Sequence, residues 1–181
     1  MFYGWNKFKG WEILEFFLEK DEKIHVNGLA KRLGISPGTA QKYLTEYEKQ
    51  GLLEREKNAN AINYKLKESP LSLELKKTLF LAKISPFVSE FLEDNPLTSK
   101  LALYGSHSKG SFDEKSDIDL LAISQNKKIN LNALKKMENK TKKEAKIQVF
   151  TITEWKKLLE KKDPFALSVK KSNLLLSGEP L

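Results

Sequence analysis

Cysteine is absent from all 181 residues, which excludes disulfides, thiolate nucleophiles and Cys-ligated zinc or iron–sulfur sites. Histidine is nearly as scarce: His25 and His107 are the whole supply, so a His-rich metal centre is excluded too. No apolar run approaches the roughly 18 residues that a membrane span needs. The opening Met1-Phe2-Tyr3-Gly4-Trp5-Asn6-Lys7 lacks the continuous apolar core of a secretory leader. The expectation is a cytoplasmic protein with no membrane contact. Arginine is rare as well, with Arg32 and Arg55 the only two among 32 basic residues. What stays open is carboxylate chemistry with a hard cation, and binding to something acidic.

Charge supports the second of these. The net charge is +8 and the pI about 9.4, a balance that favours nucleic acid, nucleotide or another anionic partner. The excess is uneven: residues 1–68 carry 12 basic and 10 acidic groups, residues 69–181 carry 20 and 14. With 40% apolar residues and 10% aromatics the chain can bury real cores, in one or two modest domains.

Periodicity divides the chain. Trp11, Leu14, Phe17 and Leu18 define one apolar helical face, ended by Asp21-Glu22-Lys23. Ile24-His25-Val26 reads as a very short strand. Asn27 is placed to cap a helix with Leu29, Ala30 and Leu33 on its apolar face, and Gly34 stops it. Ser36-Pro37 opens the next helix, with a capping hydroxyl and a proline at the first helical position. Ala40, Tyr43, Leu44 and Tyr47 line its face, and Gly51 ends it. Residues 52–55 and 62–66 read as two strands, with Lys57-Asn58-Ala59-Asn60 as the hairpin turn.

Helix, short strand, helix–turn–helix and hairpin in this order resemble the winged-helix family over residues 10–67. The resemblance implies double-stranded DNA as a partner. It makes Thr39, Gln41, Lys42, Thr45 and Lys49 available to a major groove, with Arg55 and Lys57 near the wing. The plain alternative is a packing or dimerisation module, and a homodimer is compatible with it. Glu46 and Glu48 dilute the helix's positive charge.

Residues 69–96 read as a helical connector, with a second helix starting at Ser85-Pro86 and Asn95-Pro96 closing it. The domain expectation is thus 1–68, a connector over 69–96, and 97–181. From Lys100 the period becomes that of a strand: Leu101-Ala102-Leu103-Tyr104 runs into Gly105-Ser106. After a polar stretch, Asp117-Ile118-Asp119-Leu120-Leu121 forms a second strand. Alternation puts Asp117 and Asp119 on one face, where two like charges are costly without a cation or hydrogen bonds. Hard oxygen ligands of this kind suit magnesium or manganese.

Gly105-Ser106, ten intervening residues and Asp117-x-Asp119 resemble the minimal nucleotidyltransferases of the polymerase-β-like superfamily, over residues 98–155. The resemblance implies an α+β fold in which a small mixed sheet carries helices on one side. It implies that Gly105 and Ser106 hold the triphosphate of a nucleoside triphosphate such as ATP, and that Asp117 and Asp119 bind Mg2+ or Mn2+ and are catalytic. Lys109 is a further candidate for phosphate contact. His107 reads as an exposed loop residue. A P-loop and a hydrolase nucleophile elbow both fail on spacing.

One departure stands out. The family supplies a third carboxylate from a later strand, but in Lys146-Ile147-Gln148-Val149-Phe150-Thr151 the expected place holds Gln148, a weak metal ligand at best. Glu144 and Glu154 are the nearest substitutes. The expected activity is metal-dependent transfer of a nucleoside monophosphate to an acceptor hydroxyl, joined to a DNA-binding winged helix. The alternatives are a weak or inactive nucleotide-sensing regulator, and an antitoxin-type adenylyltransferase acting on a partner protein.

Overall fold

The computed structural model describes residues 8–20, 22–58 and 61–181. The leader reading of residues 1–7, the break at Asp21 and the turn residues Ala59 and Asn60 lie outside them. The chain divides into two compact units, Met1–Lys76 and Lys77–Leu181.

The first unit contains helix α1 (Lys9–Glu19), strand β1 (Ile24–His25), helices α2 (Val26–Leu33) and α3 (Pro37–Lys49), and strands β2 (Leu53–Asn58) and β3 (Ala61–Leu66). The strands form an antiparallel sheet in the order β1-β3-β2. The expected apolar faces are buried: Leu14, Phe17 and Leu18 of α1, Leu29 and Ala30 of α2, and Ala40, Leu44 and Tyr47 of α3. The cap of α2 differs from expectation. His25, not Asn27, holds that position, its Nδ1 accepting a hydrogen bond from the Asn27 backbone N–H at 3.2 Å. Strand β1 ends one residue earlier than expected, so its last side chain becomes the cap. Gly34 ends α2 at φ +62°, and Ser36 Oγ caps α3 by accepting from the Thr39 N–H.

Helix α4 (Pro70–Asp94) is a single helix, and Pro86 lies inside it. The helix start expected at Ser85-Pro86 is therefore corrected. The lost N–H is outweighed by burial on both sides of the proline, where Ile84 and Phe91 are almost inaccessible. Asn95 closes the helix: its Nδ2 donates to Phe91 O and Asn130 O, and its Oδ1 accepts from the Asn130 N–H.

The second unit continues with β4 (Thr98–Tyr104), the short helix α5 (Gly105–Lys109), β5 (Ile118–Ser124), α6 (Asn132–Thr141), β6 (Ala145–Phe150), α7 (Ile152–Glu160), α8 (Pro164–Lys171) and β7 (Asn173–Ser177). Its sheet has the order β6-β5-β4-β7, mixed because only β5 and β6 run parallel. The α+β class is as expected, but helices pack on both faces rather than one. Leu101, Leu103, Ile118, Leu120 and Ala122 meet Ile84 and Phe91 of α4 and Leu134 and Met137 of α6. Leu121 and Ile123, pointing the other way, meet Trp155 of α7 and Ala166 and Val169 of α8. Helix α7 is capped by Thr151, in a capping box with Glu154.

Candidate functional site

The site forms where β4 ends beside the start of β5. Tyr104 pairs with Asp119 in the antiparallel register, and Gly105 follows at φ +70°. A Cβ on Gly105 would collide with Asp119 Oδ2, so the position demands glycine for conformation and for space. The chain then winds directly into α5, a turn tighter than expected. Ser108 Oγ donates to Gly105 O at 2.8 Å, and Ser106 O accepts from the Ser111 N–H at 3.1 Å. Lys109 is exposed in the last turn of α5.

Asp117 immediately precedes β5 and Asp119 is its second residue, both half-buried. The segment leading to them is tied: Ser116 Oγ donates to Asp113 Oδ1 at 2.7 Å, and Lys143 Nζ donates to Asp113 O. Burial first, and then the neighbouring Asp117 charge, raise the Asp119 carboxyl above the ordinary aspartate range; Lys146 partly offsets this.

Lys146 is the neighbour that strand pattern alone did not reveal. The parallel β5–β6 register places it directly beside Asp119, on the same face, and its Nζ lies 2.6 Å from Asp117 Oδ2. Gln148 is on the same face one step further along, beside Leu121, and its Nε2 donates to the Tyr104 hydroxyl at 3.3 Å. Burial and the Asp119 charge raise the Tyr104 phenol. Glu144 reaches no closer than 4.0 Å to Lys146, and Glu154 is held by Thr151 and Lys127. Among the described residues no group of three or more His, Asp or Glu is placed to hold a metal ion.

His107 is corrected: it is fully buried, stacked on Phe112 with centroids 4.3 Å apart and lying 4.3 Å from Phe80. It is a packing residue of α5, because the helix turns that side chain inward where a loop would have left it outside.

In the first unit the groove candidates lie together on α3 and β2, but several are engaged. Thr39 Oγ1 shares a hydrogen bond with Ser36 Oγ, and Gln41 Nε2 donates to Thr45 Oγ1 and the Tyr64 hydroxyl. Arg55 Nε lies 3.0 Å from Glu48 Oε1. Lys42 reaches over the Tyr43 ring, and Lys49 and Lys57 are exposed.

A glycine turn backed against a carboxylate pair on a mixed sheet, preceded by a helix–turn–helix with a hairpin, defines a nucleotidyltransferase fold joined to a winged helix. Residues 82–173 match the nucleotidyltransferase domain model, and the chain belongs to that family. Residues 11–61 match the MarR family model. No curated protein matches the chain. Among solved structures, a toxin–antitoxin with AMP-PNP is 19% identical, over 52% of this chain and 73% of that one, with a TM-score of 0.40. A candidate transcriptional regulator from Methanosarcina mazei Go1 is 19% identical, over 47% and 76%, at 0.34. A candidate nucleotidyltransferase from Sulfolobus solfataricus is 18% identical, over 60% and 87%, at 0.36.

Proposed function

We propose that the chain transfers a nucleoside monophosphate from a nucleoside triphosphate to an acceptor hydroxyl, and that its winged helix binds double-stranded DNA. The observation that carries the first part is the packing of Gly105 against the Asp119 carboxylate, which leaves no room for a side chain between turn and acid. In this reading Gly105 and Ser106 hold phosphate through the turn, assisted by Lys109, and Asp117 and Asp119 face the reacting phosphoryl group. The acceptor oxygen bonds to the α-phosphorus as its bond to the β-phosphate oxygen breaks. Pyrophosphate leaves with that electron pair, and the hydroxyl proton goes to solvent.

The two carboxylates fit a single magnesium or manganese ion, since such ions are commonly held by one or two carboxylates, with phosphates and water completing the shell. When bound, the ion supplies Lewis-acid stabilisation of the charge that develops on the phosphates. The residues themselves orient and neutralise: Lys146 holds Asp117, and Gln148 fixes the Tyr104 hydroxyl.

The test is incubation with each labelled triphosphate, magnesium or manganese, and candidate acceptors, beside Asp117→Ala and Asp119→Ala. Labelled product is expected from wild type alone; equal labelling by the variants would place the chemistry elsewhere. A second reading is favoured by the ammonium on Asp117 and the neutral Gln148: a regulator that binds nucleotide without turnover. It expects nucleotide binding by calorimetry with no product, and DNA and nucleotide changing each other's affinity by the same factor.

A further inference from the structure

Resting on the transferase reading, we propose that the Lys146 ammonium takes the place of one divalent cation in the site, so that the nucleotide-bound protein holds a single metal ion rather than two. Three observations carry this. First, the position is built. Ile118 N–H donates to Glu144 O at 2.8 Å, which locks the start of β6 to the start of β5 and sets Lys146 level with Asp119. From there its Nζ reaches Asp117 Oδ2 at 2.6 Å, so one ammonium touches the first acid while standing beside the second.

Second, the face is short of carboxylate ligands for two divalent ions. Strand β6 contributes an ammonium and, two residues on, a neutral amide already engaged by Tyr104. The described acids nearby do not make up the difference: Glu144 lies 4.0 Å from Lys146 and is largely exposed, and Glu154 belongs to the cap of α7 and the ion pair with Lys127. Two divalent ions side by side repel strongly, and need more carboxylate than this face offers.

Third, Lys146 and a cation on Asp117 would compete for the same carboxylate. An ammonium is a compact point charge with three donors on a flexible stem, able to neutralise a carboxylate without any cation being loaded. Its cost is competition for Asp117 with every other cation.

The experiment counts manganese ions by the electron paramagnetic resonance signal of free Mn2+, in titrations of the full chain with and without a non-hydrolysable triphosphate. Wild type, Lys146→Asp and Lys146→Met are compared, their folding checked by circular dichroism. Wild type with nucleotide is expected to bind one Mn2+ per chain, and Lys146→Asp to bind two. Without nucleotide, Lys146→Met should bind Mn2+ about fivefold more tightly or better, because Asp117 is released from its intramolecular partner. Two ions on nucleotide-bound wild type would overturn the inference and leave the transferase reading standing. One ion on every variant, with unchanged affinity in Lys146→Met, would overturn it as well. If wild type binds neither nucleotide nor Mn2+, the transferase reading itself falls, and the inference with it.

Discussion

Gly105 is where a single atom decides the site. Its positive φ already disfavours any side chain, and the Asp119 carboxylate occupies the space a Cβ would need. Gly105→Ala is expected to lower stability by roughly 1–3 kcal/mol and to displace Asp119. Chemical denaturation paired with a nucleotide-binding measurement checks this; an unchanged midpoint with unchanged affinity would contradict it. Asp119 itself works against the fold. Its raised carboxyl binds a proton more readily folded than unfolded, so stability falls as pH rises from the ordinary aspartate range through its elevated value. Asp119→Asn should therefore melt above wild type at pH 7, with the gap closing as the pH drops below that range and both side chains are neutral. A variant no more stable than wild type at pH 7 would remove the desolvation argument. At this scale the two-residue period made the pairing of Asp117 and Asp119 on one face legible, and the resemblance to a known family pointed to the Gly105 turn that the structure sets against Asp119. Lys146 was not legible: its contact with Asp117 depends on how β6 registers against β5, and alternation along a single strand carries no information about its neighbour's register. For the same reason Gln148 read as a vacant third acid, although its amide is engaged with Tyr104.

Among the elements, α4 departs furthest from local sequence rules. A serine followed by proline is a strong helix-start signal, yet the helix passes through both, and Ser89 Oγ donates to Ser85 O at 3.2 Å across that turn. The signal failed because propensity counts one missing N–H, whereas the fold counts Ile84 and Phe91 buried on either side. Pro86→Ala is expected to stabilise the second unit by about 1–3 kcal/mol, the interior penalty of proline less the entropy it removes from the unfolded chain. Urea denaturation measures it, and a lower midpoint would mean that the proline ring itself contributes packing. Helices α2 and α3 were legible to within about two residues, because their end signals and apolar faces agree with one another. The cap of α2 passed to His25 only because β1 is two residues long. The second helical face of the nucleotidyltransferase sheet went unread, since the connector supplying it looked like a bridge between domains.

For the whole molecule, the charge is distributed against the first intuition. The unit carrying the groove-reading candidates has the smaller basic excess, and part of what it has is spent internally, Arg55 on Glu48 and Arg32 on Glu22. If α3 enters a groove, the electrostatic share of affinity rests on Lys42, Lys49 and Lys57 rather than on the arginines. Replacing Lys42 or Lys49 by alanine should then reduce the slope of log affinity against log salt by about 1 each. Arg55→Ala should change that slope by less, because Glu48 already neutralises the guanidinium. Fluorescence anisotropy with duplex DNA across a salt series separates these outcomes; a larger effect from Arg55 than from either lysine would reverse the assignment.

The division between the two units falls at Lys76 and Lys77, inside α4 rather than in a loop. Proteases need several residues in extended form to seat a scissile bond, and these two lysines offer trypsin its preferred side chains on a backbone that is coiled and internally bonded. The boundary that looks easiest to cut on paper is thus shielded by its own hydrogen bonds. Separating the units by digestion requires α4 to unwind first, and expressing either one alone means deciding which of them keeps the helix.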